Sequence, residues 1–183
     1  MDRTDHRGAA LAPAAAARGR RELLALVASA ALLVVGARAF VAEPIGVPTA
    51  SMSPTLRPGQ SVLVNKLAYR FGDPRRRDIV VFHQPSSGEL LLKRVVGVSG
   101  DRVGLADGVL YVNGRAVREP LVDHRFLDSV YFGPVRVPSG AVFVMGDQRS
   151  NSLDSRAFGA VPRRRILGRV DLRIWPPGEA GGL

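Results

Sequence analysis

Hydrophobic residues are distributed along this chain in two ways. From Leu23 to Ala37 they run without a charge, break at Arg38 and resume at Ala39-Phe40-Val41-Ala42. From Glu43 onward they come in short bursts separated by turn residues. An apolar run of about 20 residues matches one bilayer crossing, so residues 22–42 are expected to form a transmembrane helix. Arg38 lies near its far end, where a long side chain can reach the interface. Arg18, Arg20 and Arg21 precede the run, which by the positive-inside rule puts the N-terminus in the cytoplasm and everything after the span outside. A basic start, an apolar core and the small-x-small run Ala37-Arg38-Ala39 also describe a cleavable signal peptide. Both readings export residues 43–183. Residues 1–21 are rich in Ala, Arg and Asp, have no hydrophobic period, and are expected to be a disordered cytoplasmic tail.

Beyond Glu43 the bursts have strand length. Ser61–Asn65, Asp78–Phe82, Leu90–Val98, Val109–Val112, Ala141–Met145 and Ile166–Trp175 are predicted strands. Turn signals stand between them at Gly72-Asp73-Pro74, Ser99-Gly100-Asp101, Asn113-Gly114 and Pro138-Ser139-Gly140. Asn-Gly between Val112 and Arg115 is a tight-hairpin signal. No long amphipathic helix follows the apolar segment, and no repeat is visible. The pattern predicts a mainly β, antiparallel domain over 43–183. Asp73-Pro74-Arg75-Arg76-Arg77 reads as a solvated charged turn.

Composition narrows the possible chemistry. The 183 residues include no cysteine, which excludes disulfides, zinc–thiolate sites and a cysteine nucleophile. The net charge of +10 suits anionic lipid or nucleic acid. The arginines are spread from Arg3 to Arg173 and only 6% of residues are aromatic, so no base-stacking platform is evident. Membrane lipid is the expected partner and nucleic acid is not.

Three stretches carry candidate chemistry. Val47-Pro48-Thr49-Ala50-Ser51-Met52-Ser53-Pro54-Thr55-Leu56 sets hydroxyls between prolines, which stiffen the backbone and exclude helix and central strand. It reads either as a polar connector or as a loop that aims a serine Oγ. His6, His83 and His124 stand apart from it, with no local acid–base motif. Lys93 is the second candidate. Of 26 basic residues only Lys66 and Lys93 are lysines. Arginine keeps its proton, whereas a buried lysine can lose it. Within Leu90-Leu91-Leu92-Lys93-Arg94-Val95-Val96 the side chain is either a solvent-facing lysine on an alternating strand or a desolvated general base. The third stretch runs from Gly146-Asp147-Gln148-Arg149 to Ser155-Arg156. Two arginines and few carboxylates argue against a calcium loop. It reads as a loop braced by an Asp154–Arg156 or Asp147–Arg149 pair, or as the place where a serine holds the Lys93 amine.

These stretches, in this order, resemble bacterial type I signal peptidase, the membrane-bound Ser-Lys leader peptidase. The resemblance runs from Arg38-Ala39-Phe40 to Trp175-Pro176. It also takes in Asp78–Phe82, Lys93–Gly97 with Gly100-Asp101, and Phe158-Gly159 with Val161-Pro162. By position it implies that Ser51 is the nucleophile and Lys93 the general base. Thr49 would assist the Ser51 N–H in the oxyanion hole, in place of the commoner serine. Ser152 would orient the lysine amine, and Asp147, Asp154 and Arg156 would support the site. It further implies an antiparallel β fold of the signal-peptidase and SOS-repressor protease type, lying against the outer leaflet, with no cofactor or metal. The implied substrates are signal-peptide-bearing preproteins cut after small-x-small (Ala-x-Ala) sites. Two positions depart from the family pattern. Gln148 replaces an asparagine, which bears on local hydrogen bonding, and Arg77 replaces a glycine, which suggests a different turn before the strand. Two other readings compete. A self-cleaving Ser-Lys repressor would need an N-terminal helix-turn-helix domain, where this chain has a tail and an apolar segment. A non-catalytic, basic, membrane-anchored binding module would leave Ser51, Lys93 and Ser152 free to vary.

Overall fold

A computed structural model describes residues 12–122 and 130–183. The chain divides into two compact units, Met1–Phe40 and Val41–Leu183.

The described residues of the first unit form the helix α1 (Ala12–Phe40). It begins inside the stretch expected to be a disordered tail, and residues 1–11 lie outside the described residues. Its far boundary also differs from the expected span. The helix stops at Phe40 and Ala42 opens a strand, because Pro44 disfavours helix at the residue before it and cannot itself extend one. Among the described residues no helix is long and apolar enough to cross a membrane. The part of α1 described with side chains, 19–36, includes Arg20, Arg21 and Glu22 beside the apolar run. Leu23, Leu24, Leu26, Val27 and Leu32 to Val35 are all exposed.

The described residues of the second unit form twelve strands, all paired antiparallel. They are β1 (Ala42–Gly46), β2 (Ser61–Asn65), β3 (Ile79–His83), β4 (Leu90–Gly97), β5 (Arg102–Ala106), β6 (Val109–Val112), β7 (Arg115–Ala116), β8 (Phe132–Arg136), β9 (Ala141–Met145), β10 (Val161–Pro162), β11 (Ile166–Trp175) and β12 (Gly181–Gly182). One short helix, α2 (Ser155–Phe158), lies between β9 and β10. The larger sheet has the order β1-β2-β11-β3-β4-β9-β10, with β12 paired to β11. The smaller has the order β7-β6-β5-β8.

The apolar bursts become strands because both faces of several of them are covered. Val142 and Val144 of β9 pack with Val80, Phe82, Val95 and Val161. Ala141, Phe143 and Met145 of the same strand pack with Val103, Leu105, Leu110 and Val112 of the smaller sheet. A strand buried on both faces reads as a continuous apolar run. β3 behaves similarly, with Ile79 and Val81 joining a third cluster around Met52, Leu56, Val62, Val64 and Val170. The Asn113-Gly114 hairpin joins β6 to β7 with both residues at positive φ, 53° and 77°, the geometry of a type I′ turn.

Arg77, the residue expected to alter the turn before β3, is described by its backbone. It adopts φ 79°, a conformation natural to glycine and strained for a side chain. Its N–H donates to Val95 O at 2.8 Å and its carbonyl accepts from Arg94 Nη1 at 3.0 Å. The neighbouring turn is solvated as expected, with Asp73, Arg75, Arg76 and Arg77 exposed, although Arg76 also reaches across to the buried Asp101.

Candidate active site

The loop after β1 is anchored by its apolar members. Val47, Met52 and Leu56 are buried in the third cluster, and Val47 exchanges backbone bonds with Gln60 and Gly59 at 2.8 and 3.0 Å. Between these anchors Ala50–Met52 makes a single 3-10 turn. Proline at 48 and 54 keeps that turn from growing into a helix. Ser51 is therefore fixed in a tight bend and is only 9% exposed.

β4 supplies the partner. Lys93 stands opposite Val80 of β3 and is 3% exposed. Its Nζ donates to Ser51 Oγ at 2.8 Å and to Leu92 O at 3.1 Å. Thr49 Oγ1 lies 3.2 Å from the same Ser51 oxygen. Burial pushes the Lys93 amine below the ordinary lysine range, because a desolvated ammonium is disfavoured. The charges of Asp154, Glu89 and Asp147 act in the opposite sense. An amine held against a serine hydroxyl can take its proton once the amine is neutral.

The third stretch forms a brace around this pair. Asp147 is fully buried and grips Arg94 through two bonds, Nε at 2.8 Å and Nη2 at 2.7 Å. It also accepts from Thr55 Oγ1 at 2.6 Å. One carboxylate thereby ties the strand bearing Lys93 to the loop bearing Ser51. The register that pairs Arg94 with Met145 brings these groups together. Asp154 caps α2, accepts from Gly146 N at 3.2 Å and pairs with both faces of the Arg156 fork at 2.9 Å. The Asp154–Arg156 pairing expected from the sequence is present. The Asp147–Arg149 pairing is not, because Arg149 turns inward to Glu119.

Gly146 shows how closely the two loops meet. A Cβ built there would stand 2.5 Å from Ser51 O and would overlap Ser152 Oγ. The absence of a side chain lets Gln148 N reach Ser51 O at 3.1 Å. Ser152 is thus next to the site, yet its buried Oγ has no hydrogen-bond partner. It makes no bond to Lys93, whose second contact goes to the Leu92 carbonyl. Gln148 Oε1, at the position that departs from the family pattern, is likewise buried without a partner.

A cleft of about 250 Å³ opens beside the pair. Ile45 to Thr49 form one wall and Glu89 to Lys93 the other, with Ser51, Met52 and Val81 between them. Of the histidines, His83 is exposed and bonds Gly88 O, away from the cleft; His6 and His124 lie outside the described residues. Among the described residues no group of three His, Asp or Glu side chains is placed to hold a metal ion. Arg94, Thr55 and Gly146 had no role expected from the sequence, and Arg149 was expected only as a possible partner of Asp147; all four stand in the three candidate stretches, and that adjacency was the only signal.

The chain is similar to known proteins. The family model described as signal peptidase, peptidase S26, matches residues 20–175. A signal peptidase I from Leptolyngbya laminosa is 39% identical over 160 residues, covering 83% of this chain and 78% of that protein. One from Bacillus caldolyticus is 43% identical over 159 residues, covering 80% and 87%. The crystal structure of a signal peptidase I from Enterococcus faecalis aligns with 53% of this chain and 96% of its own, at 31% identity and a TM-score of 0.47.

Proposed function

This chain belongs to the signal peptidase family, peptidase S26, and from that premise we propose that it removes N-terminal signal peptides from exported preproteins, with Ser51 as nucleophile and Lys93 as general base. The observation that carries the reading is the 2.8 Å contact between Lys93 Nζ and Ser51 Oγ, both side chains being buried beside an open cleft.

The chemistry follows from that contact. A neutral Lys93 amine accepts the Ser51 proton as Oγ attacks the scissile carbonyl. The negative charge that develops on the carbonyl oxygen is met by the Ser51 N–H and the Thr49 hydroxyl. The Lys93 ammonium then returns its proton to the departing amine, leaving an acyl-enzyme on Ser51. A water deprotonated by Lys93 hydrolyses the ester and restores both groups. Burial of the amine makes its neutral form accessible.

The cleft fits an extended peptide laid between its two walls. A strand sends alternate side chains to one side. Residues one and three before the cut would then enter the cleft while the second points away. The modest volume and the apolar lining by Ile45, Met52, Val81 and Leu91 favour small side chains there. This is the basis proposed for cutting after Ala-x-Ala.

Membrane anchoring belongs to the same proposal. The exposed apolar side chains of α1 are suited to lipid, and the arginines before them orient the N-terminus toward the cytoplasm. An enzyme and a preprotein held in one bilayer meet at raised effective concentration. The direct test is cleavage of an Ala-x-Ala preprotein in detergent by the full chain and by Ser51→Ala. The variant should fold and show no cleavage; retained cleavage would remove Ser51 as nucleophile.

A further inference from the structure

Among the described residues the largest fully buried side chain is a charged one, Arg149, and the proposed chemistry does not use it. Its guanidinium forks onto the Glu119 carboxylate, with Nη1 bonding Oε2 at 2.8 Å and Nη2 bonding Oε1. Both side chains are shielded from water, at 1% and 8% exposure. Arginine does not escape burial by losing its proton, so this site requires the carboxylate.

The two partners come from different parts of the domain. Glu119 lies just past β7, at the end of the smaller sheet. Arg149 lies in the loop after β9, between Asp147 and Ser152. Arg149 passes the connection on. Its Nε donates to Gly146 O at 3.0 Å. Its own carbonyl accepts from Arg156 Nη2 at 2.7 Å, and Arg156 grips Asp154, which holds Gly146 N. Gly146 is thus held from both of its backbone groups, at the residue that packs against Ser51 O and Ser152. The smaller sheet also touches this loop through Met145, which shares an apolar cluster with Val103, Leu105, Leu110 and Val112.

We infer that Glu119 is a positioning residue for the hydrolysis, acting through Arg149 and Gly146 to fix the loop under Ser51. The smaller sheet is then part of the catalytic apparatus although it contributes no reacting group. The inference rests on the assignment of Ser51 and Lys93 as the reacting pair.

The test compares the full chain in detergent with Glu119→Gln and Glu119→Asp. Glu119→Gln is expected to lower kcat about 10- to 100-fold, the scale of a misplaced reacting group, with KM within about twofold. Glu119→Asp should regain most of the rate. Backbone hydrogen exchange over residues 141–157 should rise in Glu119→Gln and return toward wild type in Glu119→Asp. A folded Glu119→Gln with wild-type kcat and unchanged exchange would overturn the inference, as would a lower thermal midpoint with kcat intact. If Glu119→Gln does not fold, Glu119→Met combined with Arg149→Met removes both charges together; that variant should be folded and slow, and a fast one would overturn the inference. If the wild type cleaves no preprotein, the proposed function fails, and the exchange experiment still decides whether Glu119 holds the loop.

Discussion

Lys93 and Arg94 are neighbours on one strand, and both are largely removed from water, but the structure treats them in opposite ways. Arg94 is met by the Asp147 carboxylate, the Thr55 hydroxyl and the Arg77 carbonyl. Arg149 and Arg156 are treated likewise, each gripped by a carboxylate. Lys93 makes no ion pair among the described residues and rests on a hydroxyl and a carbonyl. The permanently charged side chains hold the geometry, and the one that can shed its charge is left without a partner carboxylate. That is the division of labour a lysine base needs, because a close carboxylate would keep it protonated.

Removing a brace should therefore cost stability. Asp147→Ala leaves the Arg94 guanidinium facing a gap. It is expected to destabilise the domain by about 3 kcal/mol, the scale for breaking a buried pair. A denaturant midpoint that falls with an unchanged slope would show this; an unmoved midpoint would mean that Arg94 finds water instead.

Changing the field around Lys93 should move its titration, besides loosening the Arg156 brace. The Asp154 charge favours the ammonium form. Asp154→Asn keeps a capping oxygen for α2 but removes that charge, so the Lys93 pKa should fall further. In the proposed mechanism activity needs the neutral amine, so it should rise with pH through this pKa. The acid limb of kcat/KM should accordingly lie below the ordinary lysine value in wild type and shift to lower pH in the variant. A limb that moves upward would contradict the sign.

The smallest effect expected is at Arg77. Replacing it with glycine relieves a side chain held at φ 79° and should stabilise by about 1 kcal/mol. Thermal unfolding would show the gain, and loss of stability would mean that the Arg77 side chain makes up for its backbone strain.

What could be read in advance divides along similar lines. Ala141–Met145 and Ile166–Trp175 declared themselves as strands because covered faces demand apolar residues. Asn113-Gly114 declared its turn because few dipeptides accept two positive φ values. β8 stayed hidden because Gly133 and Pro134 interrupt it. Gly133 sits at φ 72°, and the pairing with β5 shifts register between Val103 and Leu105. β1 was lost to Pro44 in the same way. At the site, Lys93 was a candidate from its own strand, and Ser51 was picked out among its neighbouring hydroxyls only by the family resemblance that the ordered stretches carry. The Arg149–Glu119 pair was not, since an arginine in a polar loop looks solvated and its partner lies in another sheet. The expected bond from Ser152 to Lys93 is not formed, and nothing local in the sequence separates proximity from contact.

The central claim is that Lys93 works by giving up its charge, and Lys93→Arg tests it most directly. The variant keeps a positive side chain on β4 but cannot become a base. Cleavage of an Ala-x-Ala preprotein in detergent should be lost, by at least about 100-fold, with the domain folded. A folded Lys93→Arg enzyme that cleaves at the wild-type rate would contradict the account and require another base for Ser51.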